Sequence, residues 1–437
     1  MQVDTQIDAR WVIPIEPAQT YWQHYSVIIH GGRIIDMLPT TQATKQYTPA
    51  THHELNQHIL LPGLINAHTH SAMTPLRGYA DDLPLMTWLQ DYIWPVENKW
   101  VSNEFVYDSS LHACAEMLRG GTTCFADMYF FPESTARAVD HAGMRAVIGL
   151  ITIDFPSAYA QDANQYLHKG IQLHDQLRSH SLVNTMFAPH APYTVSDEPL
   201  QRIMTLADEL DIPIHIHLHE TQDEINQSEQ QYQLRPLERL DKLGLLTPRL
   251  ISAHMTQLSD SDIKSYANAG AHVVHCPESN LKLASGFCPL QTLIDNGINV
   301  ALGTDGVASN NDLDMFGEMR TAALLAKGVA NDAQAGNAET ILRMATIHGA
   351  RALGLEEQIG SIEKDKAADL IAVKIDEIES LPIYNPVSHL VYAANRQSVT
   401  DVWVAGRQLL RSRELITLDI NELAKNTHRW QDKITDQ

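Results

Sequence analysis

Residues 62–70 read PGLINAHTH, an apolar run that ends in two histidines separated by one residue. In a β-strand the side chains of residues i and i+2 point to the same face, so His68 and His70 can converge on one metal ion. Imidazole nitrogen is a suitable ligand for zinc, iron and nickel. The alternative is that one histidine is a hydrogen-bonded core residue and the other lines a loop, so the pair needs further ligands elsewhere in the chain.

Apolar runs with the same organisation recur along the middle of the chain. Together with the first they are residues 64–70, 122–127, 145–151, 184–190, 213–220, 250–254, 271–276 and 299–305. Helical segments lie between them: residues 200–210 follow the capping residues Ser196-Asp197-Glu198, and residues 263–269 stop at Gly270. Eight strands that alternate with helices predict an α/β fold, a parallel (β/α)₈ TIM barrel with its chemistry at the C-terminal ends of the strands.

The ends of these runs carry histidines and carboxylates: His68, His70, Asp127, His190, His217, Glu220, His254 and Asp305. Each signal alone has an ordinary explanation, since Glu220 can be a helix N-terminal acid, His254 a satisfied polar residue and Asp305 a turn residue. Together, an HxH pair, a later histidine and a carboxylate on the last strand form a set suited to zinc, with an open position for water.

The fifth run contains three histidines, His215, His217 and His219, in alternation with apolar residues. The period of two predicts that all three share one face of the strand, where one or two of them could bind a metal directly. The roles of His215 and His219 stay open at this point.

The two ends of the chain differ from the middle. Residues 1–61 predict an antiparallel sheet without helices, with a hairpin at Gly31-Gly32, and from about residue 364 the pattern is again β-type. We therefore predict that residues 1–57 and 364–437 pair into one small β-sandwich domain, and that residues 58–363 form the metal-dependent barrel.

Composition and charge exclude several classes of protein. The chain has 437 residues, 44% of them hydrophobic, and this composition indicates a globular protein. Its formal net charge of -22 would repel the phosphates of nucleic acid polymers. The four cysteines form no CxxC pair, which suits a reducing compartment, and from the residue pattern we expect neither a signal peptide nor a membrane-spanning segment. We expect a cytoplasmic protein with a small-molecule ligand and no membrane partner; a homo-oligomer is left open.

The motifs PGLINAHTH, HLHE, AHMT, NLKL and LGTDGVASNN, within residues 58–363, resemble those of the amidohydrolase superfamily and its adenosine-type aminohydrolases. The stretches GSIEKDKAADLIAV and VWVAGRQL are similar to the small β-domain of that superfamily. More closely, RGYADDLPLMTWLQDYIWPVE and GTDGVASNNDLDMFGEM are similar to the 5-methylthioadenosine/S-adenosylhomocysteine deaminase family, among the TRZ/ATZ-type hydrolases.

That resemblance implies a role for each of the predicted site residues. The metal ligands would be His68, His70, His217 and Asp305. His254 would hydrogen-bond the metal-bound water, Asp305 would take the proton of that water, and Glu220 would protonate a nitrogen of the purine ring. The fourth run, residues 184–190, contains no lysine that could be carboxylated to bridge two metals, so we expect one metal ion per chain. We expect this ion to be zinc, with iron or manganese as the alternatives.

The resemblance also implies substrate contacts. Glu97 matches a glutamate that binds ribose hydroxyls, and His190 a histidine that contacts the substrate; His217, Glu220 and Asp305 would face the substrate as well. The alternative for Glu97 is a solvated helix residue.

The expected reaction is the zinc-dependent hydrolytic deamination of a 5′-substituted adenosine. Relatives that accept S-adenosylhomocysteine tend to carry arginines after the third strand, whereas residues 148–159 contain none and Arg145 belongs to the strand itself. We therefore favour 5′-methylthioadenosine, converted to 5′-methylthioinosine and ammonia, over S-adenosylhomocysteine or adenosine. The alternatives are an aminohydrolase or chlorohydrolase of the same superfamily, acting on guanine, a pterin or an s-triazine, and a non-catalytic barrel subunit.

Overall fold

The structure is a computed structural model, and it describes residues 1–435. The strands of this range form two eight-stranded sheets. In chain order they are β1 (Gln2–Val12), β2 (Trp22–His30), β3 (Arg33–Pro39), β4 (Thr48–Pro62), β5 (Leu64–Thr69), β6 (Thr122–Asp127), β7 (Arg145–Thr152), β8 (Val183–Pro189), β9 (Ile214–Leu218), β10 (Leu250–His254), β11 (His272–His275), β12 (Asn299–Leu302), β13 (Leu370–Lys374), β14 (Val399–Val404), β15 (Arg407–Arg411) and β16 (Glu414–Leu415).

The strands β5 to β12 form the barrel. They are parallel and neighbour one another in chain order, and the amide of Asp305, just after β12, donates to the carbonyl of His68 in β5 at 3.0 Å. Each of the eight predicted runs overlaps one of these strands to within one residue or contains it, and most of the strand residues are buried, as in a parallel sheet with helices on its outer face. The TIM-barrel prediction is therefore confirmed.

Helices cover the barrel and the small sheet, and the two helical segments predicted from their capping residues are present. In chain order they are α1 (Thr40–Gln46), α2 (Leu85–Thr87), α3 (Trp94–Trp100), α4 (Asn103–Arg119), α5 (Pro132–Ala142), α6 (Ala163–Leu177), α7 (Asp197–Leu210), α8 (Gln222–Tyr232), α9 (Pro236–Lys242), α10 (Asp260–Ala269), α11 (Pro277–Lys282), α12 (Leu290–Asp295), α13 (Met315–Ala330), α14 (Ala338–Met344), α15 (Ile347–Ala352), α16 (Pro386–Tyr392) and α17 (Ile420–Thr435). A π-helical stretch, Trp88–Ile93, joins α2 to α3, and short 3₁₀ helices lie at Ser71–Leu76, Ile378–Ser380 and Arg396–Ser398.

The second sheet is built from both ends of the chain, in the order β16-β15-β14-β13-β4-β1-β2-β3. The predicted hairpin joins β2 to β3, where Gly31 and Gly32 have φ angles of 59° and 76°. The prediction of a purely antiparallel sheet without helices is wrong for residues 1–61. After β3 the chain forms α1 and returns so that β4 lies parallel to β1. The sequence does not reveal α1 because Ala43 is its single buried residue, so no apolar periodicity marks it.

This sheet bends over its own core, as in a small sandwich. One apolar cluster includes Ile29 from one half of the sheet and Trp403 from the other. The hairpin turn at Gly31-Gly32 and the turn between β14 and β15, at Ala405-Gly406, meet at Ala368. The amide of Ala368 donates to the carbonyl of Gly32, and its carbonyl accepts the amide of Gly406, both at 3.0 Å. A Cβ atom on Gly32 would lie 2.7 Å from the carbonyl oxygen of Ala405, so this contact requires glycine.

The small sheet and the barrel are joined by a buried ion pair. The Nε of Arg145, at the start of β7, donates to Oδ2 of Asp369 at 2.8 Å, and both side chains are 2% exposed. The side chain of Arg145 therefore points to the small sheet. The C-terminal helix α17 packs on α4, with the rings of Phe105 and Trp430 5.1 Å apart. The boundaries at residues 57/58 and 363/364 stay a prediction.

Two further expectations concern the cysteines and membrane-spanning segments. All four cysteines are buried and unpaired. Within residues 1–435, no helix combines the length and the apolar character needed to cross a membrane.

Candidate metal centre and active site

The four predicted metal ligands converge at the C-terminal mouth of the barrel. Nε2 of His217 lies 3.1 Å from Nε2 of His68 and 3.2 Å from Nε2 of His70. Oδ1 of Asp305 lies 3.3 Å from Nε2 of His68 and 3.1 Å from Nε2 of His70. All four ligand atoms lie within 4.8 Å of one another, although the residues lie in or just after three different strands, β5, β9 and β12.

Hydrogen bonds fix which nitrogen of each imidazole faces the centre. Nδ1 of His70 donates to the carbonyl of Met128 at 2.5 Å, and Nδ1 of His217 donates to the carbonyl of His190 at 2.8 Å. A neutral imidazole that donates from Nδ1 carries its lone pair on Nε2. These two rings therefore turn Nε2 to the space between the four ligands, where this nitrogen can bind a metal ion once it carries no proton.

Asp305 is held so that one oxygen faces the histidines. Its other oxygen, Oδ2, accepts the hydroxyls of Ser279 at 2.7 Å and Ser309 at 2.6 Å. Burial alone would raise the pKa of Asp305, but hydrogen bonds with His68 and His70 hold it well below its usual range. The carboxylate is therefore ionised at neutral pH.

This donor set fits one zinc ion. Three imidazole nitrogens and one carboxylate oxygen are ligands that zinc prefers, and the residues lie in a buried pocket that can exclude competing ligands.

Glu220 and His254 lie beside the four ligands. Oε2 of Glu220 is 3.9 Å from Nε2 of His254, and Oε1 accepts the hydroxyl of Ser285 at 3.4 Å. Burial raises the pKa of the Glu220 carboxyl. Nδ1 of His254 donates to Oδ1 of Asn280 at 2.8 Å, which leaves the lone pair of its Nε2 free to accept a hydrogen bond. The site thus contains one carboxyl group suited to be an acid and one imidazole suited to be an acceptor.

Glu224 is a residue of this site that the sequence analysis missed. Its two oxygens accept the backbone amides of His219 at 3.0 Å and Glu220 at 2.8 Å, so they anchor the segment that carries Glu220. Burial raises the pKa of Glu224 to about 7. A signal was available: Thr221 caps α8 by accepting from the amide of Glu224, and Thr-x-x-Glu is a capping-box sequence.

The prediction that His219 shares a face with His215 and His217 is wrong. The strand β9 ends at Leu218, and His219 has a φ of 53°, so its side chain leaves the alternation of the strand. Its Nδ1 donates to the carbonyl of Gln257 at 3.0 Å, and its Nε2 accepts the amide of Leu237 at 3.1 Å. The ring therefore ties the end of β9 to its neighbouring loops.

Asp127 ends its strand as expected but does not join the metal ligands. It accepts the amide of Ser71 at 2.6 Å and the hydroxyl of Thr69 at 3.1 Å. Asp127 thus holds the backbone that follows the first two histidines.

A cavity of about 390 Å³ opens from this centre toward the solvent. Its size is that of a site for a small ligand. Aromatic residues form much of its wall, including Trp88, Trp94, Phe130 and Phe155. No lysine or arginine lines the cavity among the residues that the structure describes.

Glu97 lies in this wall and is not a solvated helix residue. It is 9% exposed, on α3, and its Oε1 accepts the hydroxyl of Tyr129 at 2.6 Å. Burial raises the pKa of Glu97 to about 7.

His190 lines the same cavity. Its ring lies 4.8 Å from that of His217, between centroids, and its Nδ1 is 3.1 Å from Oγ1 of Thr194. Burial lowers the pKa of His190 to about 3, so this imidazole is neutral. The structure therefore places the predicted metal ligands, Glu220, His254, Glu97 and His190 around one site, whereas Asp127 lies outside it; the roles of these residues stay a prediction.

A barrel of eight parallel strands with three histidines and an aspartate at its mouth defines a class of metal-dependent hydrolases. The sequence profile of the amidohydrolase family matches residues 59–409, and the chain belongs to this family. It is 52% identical over 432 residues to the 5-methylthioadenosine/S-adenosylhomocysteine deaminase of Teredinibacter turnerae, covering 99% of this chain and 98% of the relative.

Solved structures agree with the fold. The crystal structure of an adenosine deaminase from Xanthomonas campestris with bound zinc superposes with a TM-score of 0.99 at 51% identity, covering 100% of this chain and 99% of that one. The atrazine chlorohydrolase of Arthrobacter aurescens, also solved with zinc, has a TM-score of 0.91 at 22% identity, covering 98% of this chain and 100% of the other. The second likeness shows the fold alone.

Proposed function

We propose that the protein is a zinc-dependent deaminase of 5′-substituted adenosines, with 5′-methylthioadenosine as its preferred substrate. The observation that carries this proposal is which residues surround one cavity. The metal ligands and the acidic carboxyl of Glu220 lie at its base, and the buried carboxylate of Glu97 lies in its wall. The relationship to deaminases of this substrate class supports the same reaction.

The metal would be held by His68, His70, His217 and Asp305. When bound, zinc supplies an activated water that is a competent nucleophile near neutral pH.

The protein supplies the proton transfers of the reaction. Water adds to the ring carbon that bears the amino group, and ammonia leaves, so the adenine becomes hypoxanthine. Glu220 begins protonated, because burial raises its pKa, and donates its proton to the adjacent ring nitrogen. Asp305 begins ionised, takes a proton from the attacking water and passes it to the amino group, which leaves as ammonia. The proton of the new hydroxyl returns to Glu220 as the ring carbonyl forms. Nε2 of His254 accepts a hydrogen bond from the attacking water and orients it.

The nucleoside is positioned farther out in the cavity. One oxygen of Glu97 is engaged by Tyr129, and the other is free to accept ribose hydroxyls. His190, a neutral imidazole in the same wall, contacts the substrate beside it.

The preference for the methylthio substituent follows from the charge and polarity of the cavity wall. The loop after β7 contributes Ile153, Phe155 and Ala158 to the lining, and the described lining offers no cation to pair with a carboxylate. An apolar methylthio group gains free energy from burial against such a wall, whereas the amino-acid end of S-adenosylhomocysteine would lose hydration without a partner.

Two further proposals concern the partners of the protein and its location in the cell. We infer that the partner is a small nucleoside, rather than a nucleic acid polymer or a membrane, and that the protein works in the cytoplasm, where its four unpaired cysteines stay reduced.

A substrate screen tests the function. The purified chain, with its zinc content measured, is assayed for ammonia release from adenosine, 5′-methylthioadenosine, S-adenosylhomocysteine and guanine, and for hydrolysis of an s-triazine. We expect the highest kcat/KM for 5′-methylthioadenosine. A higher value for S-adenosylhomocysteine would contradict the preference, a guanine or s-triazine preference would replace the nucleoside assignment, and zinc-free inactive protein would favour a non-catalytic barrel.

A further inference from the structure

His215 is a histidine of the fifth barrel strand that the proposed mechanism does not use. It lies two residues before His217 on β9, so its side chain points to the same face, into the barrel interior. It has an exposed fraction of 0%, and its Nε2 lies 2.8 Å from Nδ1 of His68. A buried side chain therefore contacts a predicted metal ligand on the nitrogen that faces away from the centre.

The two rings have the geometry of a hydrogen bond. Their planes are inclined by only 14°, and their centroids are 4.8 Å apart. The planes are therefore nearly parallel, and the 2.8 Å between Nε2 of His215 and Nδ1 of His68 is the distance of an N–H···N hydrogen bond.

The direction of this hydrogen bond follows from a comparison of the three histidine ligands. His70 and His217 donate from Nδ1 to backbone carbonyls, which leaves Nε2 for the metal. The hydrogen-bond partner of Nδ1 of His68, within residues 1–435, is instead the ring of His215. For His68 to present the lone pair of Nε2 in the same way, its Nδ1 must carry the hydrogen, and Nε2 of His215 must accept it.

This arrangement has a cost elsewhere in the ring of His215. When its Nε2 accepts, its Nδ1 carries the hydrogen, and this buried N–H has no hydrogen-bond partner in the part of the chain that the structure describes. An unpaired buried donor costs stability, and an apolar residue at this position would avoid the cost. The presence of histidine here therefore indicates a purpose other than packing.

We propose that His215 is a positioning residue for the metal centre: it accepts the Nδ1–H of His68 and so fixes the tautomer and ring orientation that present Nε2 to the ion. The proposal rests on the proposed metal site. Partners of this kind, one step removed from the metal, commonly change metal affinity by about 10–100-fold when they are removed.

The test compares zinc affinity in variants of the full chain. His215→Phe keeps a ring of similar shape but removes the acceptor, and His215→Leu is a second acceptor-free variant. His215→Gln places an acceptor oxygen near the position of Nε2. Zinc affinity is measured on the metal-free chain by competition with a chelator, without substrate. We expect binding about 10–100-fold weaker in the first two variants and largely restored in the third.

A matched control uses His275, which is 1% exposed, lies on β11 and also has an Nδ1 without a partner in the described range. His275→Phe should leave zinc affinity unchanged, and His215→Phe should not lower the Tm of the metal-free protein. Unchanged zinc affinity in His215→Phe would overturn the proposal, as would a loss that His275→Phe shares. A wild-type chain that binds no zinc would contradict the metal site itself, and this proposal with it.

Discussion

Glu220 is the residue whose chemistry is most sharply defined by its surroundings. Burial raises the pKa of its carboxyl group, and this carboxyl group forms no hydrogen bond with the four predicted metal ligands. Glu220→Gln should therefore keep zinc at the level of the wild type and lower kcat by about 10²–10⁴-fold, because the ring nitrogen no longer receives a proton. Zinc content and turnover are measured on the same sample. Full activity in this variant would remove Glu220 from the mechanism.

Glu97 should make the stability of the protein depend on pH. Its pKa is raised to about 7 in the folded state by burial, and it returns to its ordinary value of 4.5 on unfolding. Below the lower value both states are protonated and no cost arises. Between about pH 4.5 and pH 7 the unfolded chain releases this proton while the folded protein keeps it, so stability falls across that window, by on the order of 3 kcal/mol, and changes little above it.

We expect Glu97→Gln to reduce this loss, and its Tm should fall less than that of the wild type between pH 5 and pH 8. The same variant should bind the nucleoside more weakly. Glu209→Gln, an exposed helix position, is the control and should follow the wild type at each pH. Equal pH profiles for the wild type and Glu97→Gln would contradict the assignment of the raised pKa to Glu97.

The residues that form the metal centre could be predicted from the sequence. His68, His70, His217 and Asp305 lie at strand ends, and barrel geometry brings strand ends together wherever they occur in the chain. His219 was misplaced because a single left-handed residue breaks the strand alternation, and a backbone angle of this kind leaves no mark in a histidine-rich run.

Under the proposed function, the loop after β7 is the element that we expect to select the substrate, because it lines the cavity. Ala158 is exposed and lines the mouth of the cavity, where it adds no charge. Ala158→Arg should raise kcat/KM for S-adenosylhomocysteine about fivefold relative to 5′-methylthioadenosine, the effect of one exposed ion pair with the substrate carboxylate. Ala158→Gln, of similar size but uncharged, should not. An equal change in both variants would show that charge is not the determinant.

The segment before α3, which leads to Glu97, is held in place by Lys282. Nζ of Lys282 donates to Oδ1 of Asp81 and Oδ1 of Asn311, both at 2.6 Å, and so ties the segment that leads to Glu97 to the loop after β12. The hydrogen bond from Lys282 lowers the pKa of Asp81.

Lys282→Met should loosen this connection and raise KM about fivefold, with a smaller effect on kcat, since a partly exposed ion pair contributes about 1 kcal/mol. Hydrogen exchange in residues 78–100 should become faster. Lys264→Met, at an exposed position on α10, is the control. Unchanged exchange in the Lys282 variant would show that other contacts hold the segment.

The elements themselves were predicted unevenly. Strands of the barrel are buried on both faces, so their apolar runs are long and end abruptly, and all eight could be located from the sequence. The helix α1 and the parallel pairing of β1 with β4 could not, because α1 is short and polar and strand direction depends on a connection without its own signal.

At the scale of the whole molecule, the ion pair of Arg145 and Asp369 joins the barrel to the small sheet. Asp369→Asn would leave a buried guanidinium without its counter-charge, and we expect a loss of about 3–5 kcal/mol of stability, measured from urea unfolding midpoints. The double variant Arg145→Leu with Asp369→Leu should recover much of it. As a comparison, Asp211→Asn removes an exposed partner of Arg249 and should cost less than about 1 kcal/mol. Equal losses at the two sites would contradict a special role of the buried pair.

The origin of the small sheet from both chain ends has a consequence for biosynthesis. β4 is complete once Pro62 has been made, but its partner β13 begins at Leu370. At ~5–20 residues per second, synthesis of the intervening residues takes roughly 15–60 s. Throughout this interval the apolar end of β4 is an open strand edge on a ribosome-bound chain, and open apolar edges pair with other chains. We therefore expect slow translation, or termination before Leu370, to increase the insoluble fraction of this protein.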